Sequence, residues 1–241
     1  MVKVTGAQRI DLLGVKKEDL PAVWRDIGMP SGHAYAKALR HVKSCVGTDF
    51  CRFGIGDSTK LAIEMEELWE GLHTPAKVKC GVSGCPRNCA EATVKDIGAV
   101  AVEGGWQVVV GGAAGATVRK GDILTTAETP AQALEAATAF LQYYREHGEY
   151  KERTYDFVPR IGLEHIREEV LGEAAGARLR ERFRLAKAAA AARDPWLERD
   201  EPYHPSQFTE LGMVGGDGEP VVGPPEDAEP ALVGPPAGAE L

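Results

Sequence analysis

The sequence has no apolar run approaching the about 18 residues of a membrane span, and no charged-then-apolar leader follows Met1. Both absences point to a reducing cytoplasm and away from a membrane. Its six histidines show no metal-ligand spacing, so metal chemistry falls to other side chains. No GxGxxG turn followed by an acidic residue occurs, so a dinucleotide-binding unit that takes hydride is not expected. From Asp200 onward there is no Lys or Arg against nine acidic residues, while the rest of the chain holds 28 basic and 27 acidic residues. A near-neutral body excludes a general nucleic-acid surface. Five cysteines do not suggest an extracellular disulfide framework, and clustered cytoplasmic cysteines more often bind metal or do redox work.

The 241 residues suffice for one substantial core and a smaller lobe. Residues 2–13 read as two short strands about Gly6, and KKEDLPAVWRDIG as a short helix ending near Gly28. Ser31 is expected to cap a helix running towards Lys43. Asp57 or Ser58 caps another, with Leu61, Met65, Leu68 and Leu72 on one face. Residues 76–83 alternate as a strand, and IGAVAVEGGWQVVVGG reads as a hairpin about Gly104-Gly105. Helices are expected at Pro130 to His147, at 160–171 and at 175–192. Trp69, Phe140, Tyr143 and Tyr144 read as core packing. The fold class is α+β, a mostly antiparallel mixed sheet with flanking helices. Residues 200–241 carry eight of the 15 prolines and read as a disordered acidic tail.

What the chain does have is two close cysteine pairs, Cys45 and Cys51 in SCVGTDFC and Cys85 and Cys89 in SGCPRNC. Four thiolates are the ligand set of an iron–sulfur cluster. CPRNCAEATVK is expected to start a helix, which puts Cys85 and Cys89 on one face near a helix N-terminus that favours an anionic group. Gly47, Gly81 and Gly84 then allow close backbone approach. Zinc is the rival ligand, although its sites more often use pairs spaced by two to four residues. Cys80, on the adjacent strand, reads as a small buried hydrophobe.

KVTGAQRIDLLGVKKEDLPAVW, GMPSGHAYAKALR, CVGTDFCRFG, VSGCPRNCAEA and DPWLER resemble the sirohaem-containing nitrite and sulfite reductases. The resemblance covers residues 2–199 and is closest to the C-terminal catalytic part of the NAD(P)H-dependent nitrite reductase large subunits. It implies a 4Fe–4S cluster on Cys45, Cys51, Cys85 and Cys89, with Cys89 also axial to the sirohaem iron. It further implies that Lys77 and Lys79, two apart on a strand and so on one side of it, meet the anionic substrate, with Lys43 as a third cation. Lys3 and Arg9 match a segment that contacts sirohaem. Arg52 and Arg87 adjoin cluster ligands, and Gly111 and Gly112 resemble a glycine turn that approaches sirohaem.

The implied activity is reduction of nitrite to ammonia, with reduction of sulfite to sulfide as the alternative. An electron-transfer or redox-sensing module retaining the cluster alone is a further reading. The resemblance divides the chain into part of a ferredoxin-like half domain (1–30), a sirohaem and cluster domain (31–199) and the tail (200–241). The flavin and nicotinamide domains of the larger enzymes are not in this sequence. Electrons are therefore expected from a separate flavoprotein or ferredoxin. A second copy of the chain, or a companion polypeptide, is expected to supply the rest of the half domain.

Overall fold

The computed structural model describes residues 1–28 and 37–191. The Ser31 cap, the DPWLER segment and the acidic tail lie outside them. The chain opens with an antiparallel hairpin of β1 (Val2–Val4) and β2 (Ile10–Leu12). A single 3-10 turn then leads into α1 (Leu20–Ile27), which stops at Gly28 in the left-handed conformation that glycine adopts without penalty.

The main sheet has the order β3-β4-β5-β6-β9, formed by Leu39–Ser44, Val78–Ser83, Ile97–Val102, Gly105–Val110 and Asp122–Ala127. Its β3-β4 and β4-β5 pairs are parallel, and β5-β6 and β6-β9 antiparallel. A small antiparallel ribbon, β7 (Ala113–Ala114) with β8 (Val118–Arg119), fills the connection to β9. Four of the six described strand pairings are thus antiparallel within a mixed α+β fold.

Helices α2 (Gly47–Phe50) and α3 (Ser58–Trp69) follow β3, and α4 (Pro130–His147) follows β9. The Asp57 side chain caps α3 by accepting from the Lys60 N–H, and Thr129 with Gln132 forms a capping box on α4. Alternation along the strands sends Val78, Cys80, Val82, Ile97 and Ala99 to one face. There they pack on Leu61, Met65 and Trp69 of α3 and on Phe140, Leu141 and Tyr144 of α4. Burying each such large side chain contributes about 2 kcal/mol. Trp69 is fully buried and still satisfies its indole N–H, which donates to Thr138 Oγ1 at 2.9 Å. Three further helices, α5 (Thr154–Ile161), α6 (Leu163–Leu171) and α7 (Glu173–Ala191), complete the body. Gly162 divides the helix expected over 160–171.

The helix expected to run towards Lys43 does not reach it among the described residues. Residues 39–44 form strand β3 rather than the end of a helix reaching Lys43. Leu39 and Val42 both face the core although three residues apart, because a bulge shifts the register between them. Helical spacing and a bulged strand look alike at that separation.

Candidate metal centre

Strands β3 and β4 lie side by side, parallel, with Ser44 paired to Val82. Both therefore release the chain at the same end of the sheet, and both release it into a cysteine segment. Carboxyl ends of neighbouring parallel strands are where ligand sites collect in open sheets. The Cys45 N–H extends the ladder onto the Val82 carbonyl at 3.2 Å. Cys45, Cys51, Cys85 and Cys89 line one cavity of about 430 Å³. Among the described residues, no three His, Cys, Asp or Glu side chains close on a single point as ligands of one ion do. The four cysteines share the lining of that one cavity.

The Cys85–Cys89 segment is a turn, not the start of a helix. Asn88 and Glu91 both take left-handed backbone angles, φ 56° and 59°, which no α-helix accommodates. Asn88 holds the turn with its side chain: Oδ1 accepts from Ser83 Oγ and the Thr93 N–H, and Nδ2 donates to Thr93 Oγ1 at 2.7 Å. The helix dipole invoked for an anionic ligand is therefore not available here. Backbone donors replace it. The Gly84 N–H donates to Cys45 Sγ at 3.1 Å, and Ser58 Oγ lies 3.2 Å from the same sulfur. Burial pushes the Cys45 thiol up, but its hydrogen bonds with Ser58 and with the backbone at Gly84 and Gly47 outweigh it and bring the thiol below its ordinary value.

The turn can fold back over the sheet because Gly81 and Gly98 are paired across β4 and β5. A Cβ on Gly98 would sit 2.0 Å from the Ala92 carbonyl oxygen, and one on Gly81 would sit 3.1 Å from that of Ala90. The bare glycine pair is the platform on which the segment after Cys89 rests. The thiols differ in access: Cys85 is buried, Cys45 and Cys51 are half-buried, and Cys89 is exposed at the rim. Cys80 is buried in the core, and burial raises its thiol well above the ordinary value.

Arg52, next to Phe53 in the first cysteine loop, and Arg87, reaching across from the second, both pack on the Phe53 ring. Their guanidinium carbons lie 4.6 and 3.8 Å from the Phe53 ring centroid. Both arginines are exposed.

The sheet face opposite α3 and α4 carries cations. Lys43 is paired to Gly81, and Lys79 stands two residues before Gly81 on the same side of β4, with Lys77 just ahead of the strand. Lys43 is not free: Glu91 lies 3.3 Å from its Nζ and 2.8 Å from that of Lys95. Lys79 is exposed, yet partial desolvation, then repulsion from Lys77, Arg153 and Lys95, lowers its ammonium below the ordinary pKa. Burial, then Arg9 and Arg153, does the same to Arg40. The Nε atoms of Arg9 and Arg40 are buried and have no acceptor among the described residues. The hairpin carrying Arg9 is fastened beside Cys45, where the Gln8 side-chain amide exchanges two hydrogen bonds with the Ser44 backbone.

Lys3 is exposed on β1 and does not line the cysteine cavity. Gly111 and Gly112 meet protein on all counts. A Cβ on Gly112 would lie 2.5 Å from the Lys95 carbonyl oxygen, and one on Gly111 would lie 2.9 Å from Arg119 Nη1. Sequence reasoning missed Arg40, Lys95, Asp96 and Arg153. The helix expected up to Lys43 hid Arg40, and no local pattern links Asp96 to Arg153.

Residues 35–179 match the family described as nitrite and sulphite reductase 4Fe-4S domain. A nitrite reductase (NAD(P)H) of Bacillus subtilis is 52% identical over 198 residues, which are 82% of this chain and 24% of that protein. An assimilatory-type sulfite reductase of Nitratidesulfovibrio vulgaris is 37% identical over 172 residues, 71% of this chain and 79% of that one. The chain spans a quarter or less of the nitrite reductases it matches. Among solved structures, dissimilatory sulfite reductase I shares the fold at TM-score 0.62 and 17% identity, covering 71% of this chain and 62% of that one. The Mycobacterium tuberculosis NirA protein does so at 0.62 and 18%, covering 70% and 34%. The cysteine-lined cavity thus sits within the matched region, and the chain belongs to the nitrite and sulphite reductase 4Fe-4S domain family.

Proposed function

We propose that the chain is a reductase domain or subunit that converts nitrite to ammonia, with a 4Fe–4S cluster on Cys45, Cys51, Cys85 and Cys89 and sirohaem beside it. The observation that carries the reading is the convergence of both cysteine pairs on one cavity at the carboxyl ends of β3 and β4. Four thiolates fit an iron–sulfur cluster by donor chemistry. Sirohaem is rich in carboxylates, and the buried, acceptor-less Nε atoms of Arg9 and Arg40 fit such a group. Cys89, exposed at the rim, is the thiol a group outside the cavity can reach. When bound, the two cofactors supply one-electron transfer and an iron site for the substrate.

The chain's own residues do the rest. Lys77 and Lys79 hold the anion and stabilise negative charge as it is reduced. Lys79 gives up its proton more readily than an ordinary lysine, which suits a proton relay, and water replenishes it. Lys43 steadies Glu91 and with it the backbone following Cys89. Arg87 clamps the second cysteine loop onto Phe53 of the first, a ring that Arg52 shares. Nitrite takes electrons from a separate flavoprotein or ferredoxin and protons from solvent, releasing both oxygens as water.

Sulfite reduction is the second reading. It is favoured by the Nitratidesulfovibrio relative, a sulfite reductase by name of which this chain covers 79%. Protein produced with a sirohaem supply should show haem bands over cluster absorbance and reduce nitrite faster than sulfite. A brown protein without haem bands points to an electron-transfer module, and faster sulfite turnover points to the second reading.

A further inference from the structure

Asp96 stands at the entry of β5 and is 1% exposed. Its Oδ2 accepts from the Lys79 backbone N–H at 2.8 Å and from Arg153 Nη2 at 2.7 Å. Its Oδ1 accepts from Thr154 Oγ1 at 2.5 Å and from Arg153 Nε at 3.3 Å. One carboxylate thereby joins β4, the entry of β5 and the start of α5. A charge so deeply buried is costly unless every lone pair is met, and here four donors meet it.

Its surroundings say what the charge is for. The Lys79 ammonium feels the charges of Lys77 from its own segment, Arg153 from the start of α5, and Lys95 and Asp96 from the entry of β5. Three of those four neighbours repel a cation. Asp96 alone opposes them, and its hydrogen bond fixes the backbone from which the Lys79 side chain leaves the sheet.

We propose that Asp96 is a positioning residue of the cation face, fixing the Lys79 backbone and the Arg153 guanidinium in place and supplying a negative charge to a face otherwise lined by cations. Its bearing on turnover rests on the reading that Lys79 meets the substrate anion. Its geometric content does not.

Trace labelling of the full chain with acetic anhydride across alkaline pH, read by mass spectrometry, gives the ionisation midpoint of Lys79 without any turnover. Asp96→Asn keeps the shape and removes the charge, and should lower the midpoint by about one pH unit. Arg153→Gln removes a repelling cation and leaves the carboxylate to Lys79, and should raise it. A destabilised Asp96→Asn protein with an unmoved midpoint overturns the proposal, since that is what a purely structural carboxylate gives. If Asp96→Asn does not fold, Arg153→Gln decides alone, and an unmoved or lowered midpoint overturns the proposal. Loss of turnover in a Lys79 variant tests the substrate reading separately.

Discussion

The backbone N–H of Gly84 donates to the sulfur of Cys45 across 3.1 Å, so the residue preceding one cysteine pair holds the first thiol of the other. The contact exists because Gly84 packs directly on the first loop. A Cβ there would lie 2.7 Å from the Gly56 carbonyl oxygen and 2.9 Å from Gly47 Cα. Gly84→Ala should therefore part the loops, cost about 1–3 kcal/mol of stability and reduce iron incorporation. Urea unfolding with iron analysis checks this, and wild-type values in both would contradict it.

Phe53 is the shared platform of Arg52 and Arg87. Exposed cation–π contacts contribute about 0.5–1 kcal/mol each. Phe53→Ala should leave the fold intact but speed loss of the cluster in air, because the loops carrying Cys51 and Cys89 lose their clamp. Bleaching of the visible absorbance follows the rate; a rate equal to wild type would remove this role.

Lys77→Ala combined with Lys79→Ala should keep both cofactors and lower turnover by about 10²–10³-fold, the range for removing a donor to developing negative charge. Spectra and steady-state rates on the same preparation separate cofactor loss from lost chemistry. Wild-type turnover in the double variant would refute the assignment.

His41 Nδ1 and Glu66 Oε1 lie 2.5 Å apart between β3 and α3. The hydrogen bond to Glu66 raises His41 above its ordinary value despite burial. Burial pushes Glu66 up, but hydrogen bonds from His41 and the Val42 N–H outweigh it and hold the carboxyl below its usual range. The histidine's stabilisation is complete below its unfolded pKa and fades as pH rises through the folded one. The glutamate's is complete above its unfolded pKa and fades as pH falls through the folded one. Both are present between about pH 4.5 and 6.5. The stability gap between wild type and Glu66→Gln should be widest there and narrow on either side; a gap independent of pH would exclude the linkage.

Much of this fold is readable from local pattern. The hairpin at 97–110, the helix Pro130–His147 and the glycine stop at Gly28 all follow from alternation, capping and turn chemistry. Two segments around the site are not readable that way. In β3 a bulge mimics helical spacing, and in the Cys85 turn left-handed Asn88 and Glu91 defeat an i, i+4 arrangement that periodicity favours. The cysteines themselves were legible because ligand chemistry restricts residue type. Asp96 and Arg153, 57 residues apart, were not, because a buried ion pair leaves no mark on either local sequence.

The account turns on what the thiol-lined cavity holds. Anaerobically purified protein should contain about four iron and about four acid-labile sulfide per chain, with most of both lost in Cys85→Ala and kept in Cys80→Ala. Stoichiometric zinc without labile sulfide, or iron retained when Cys85 is removed, would contradict it.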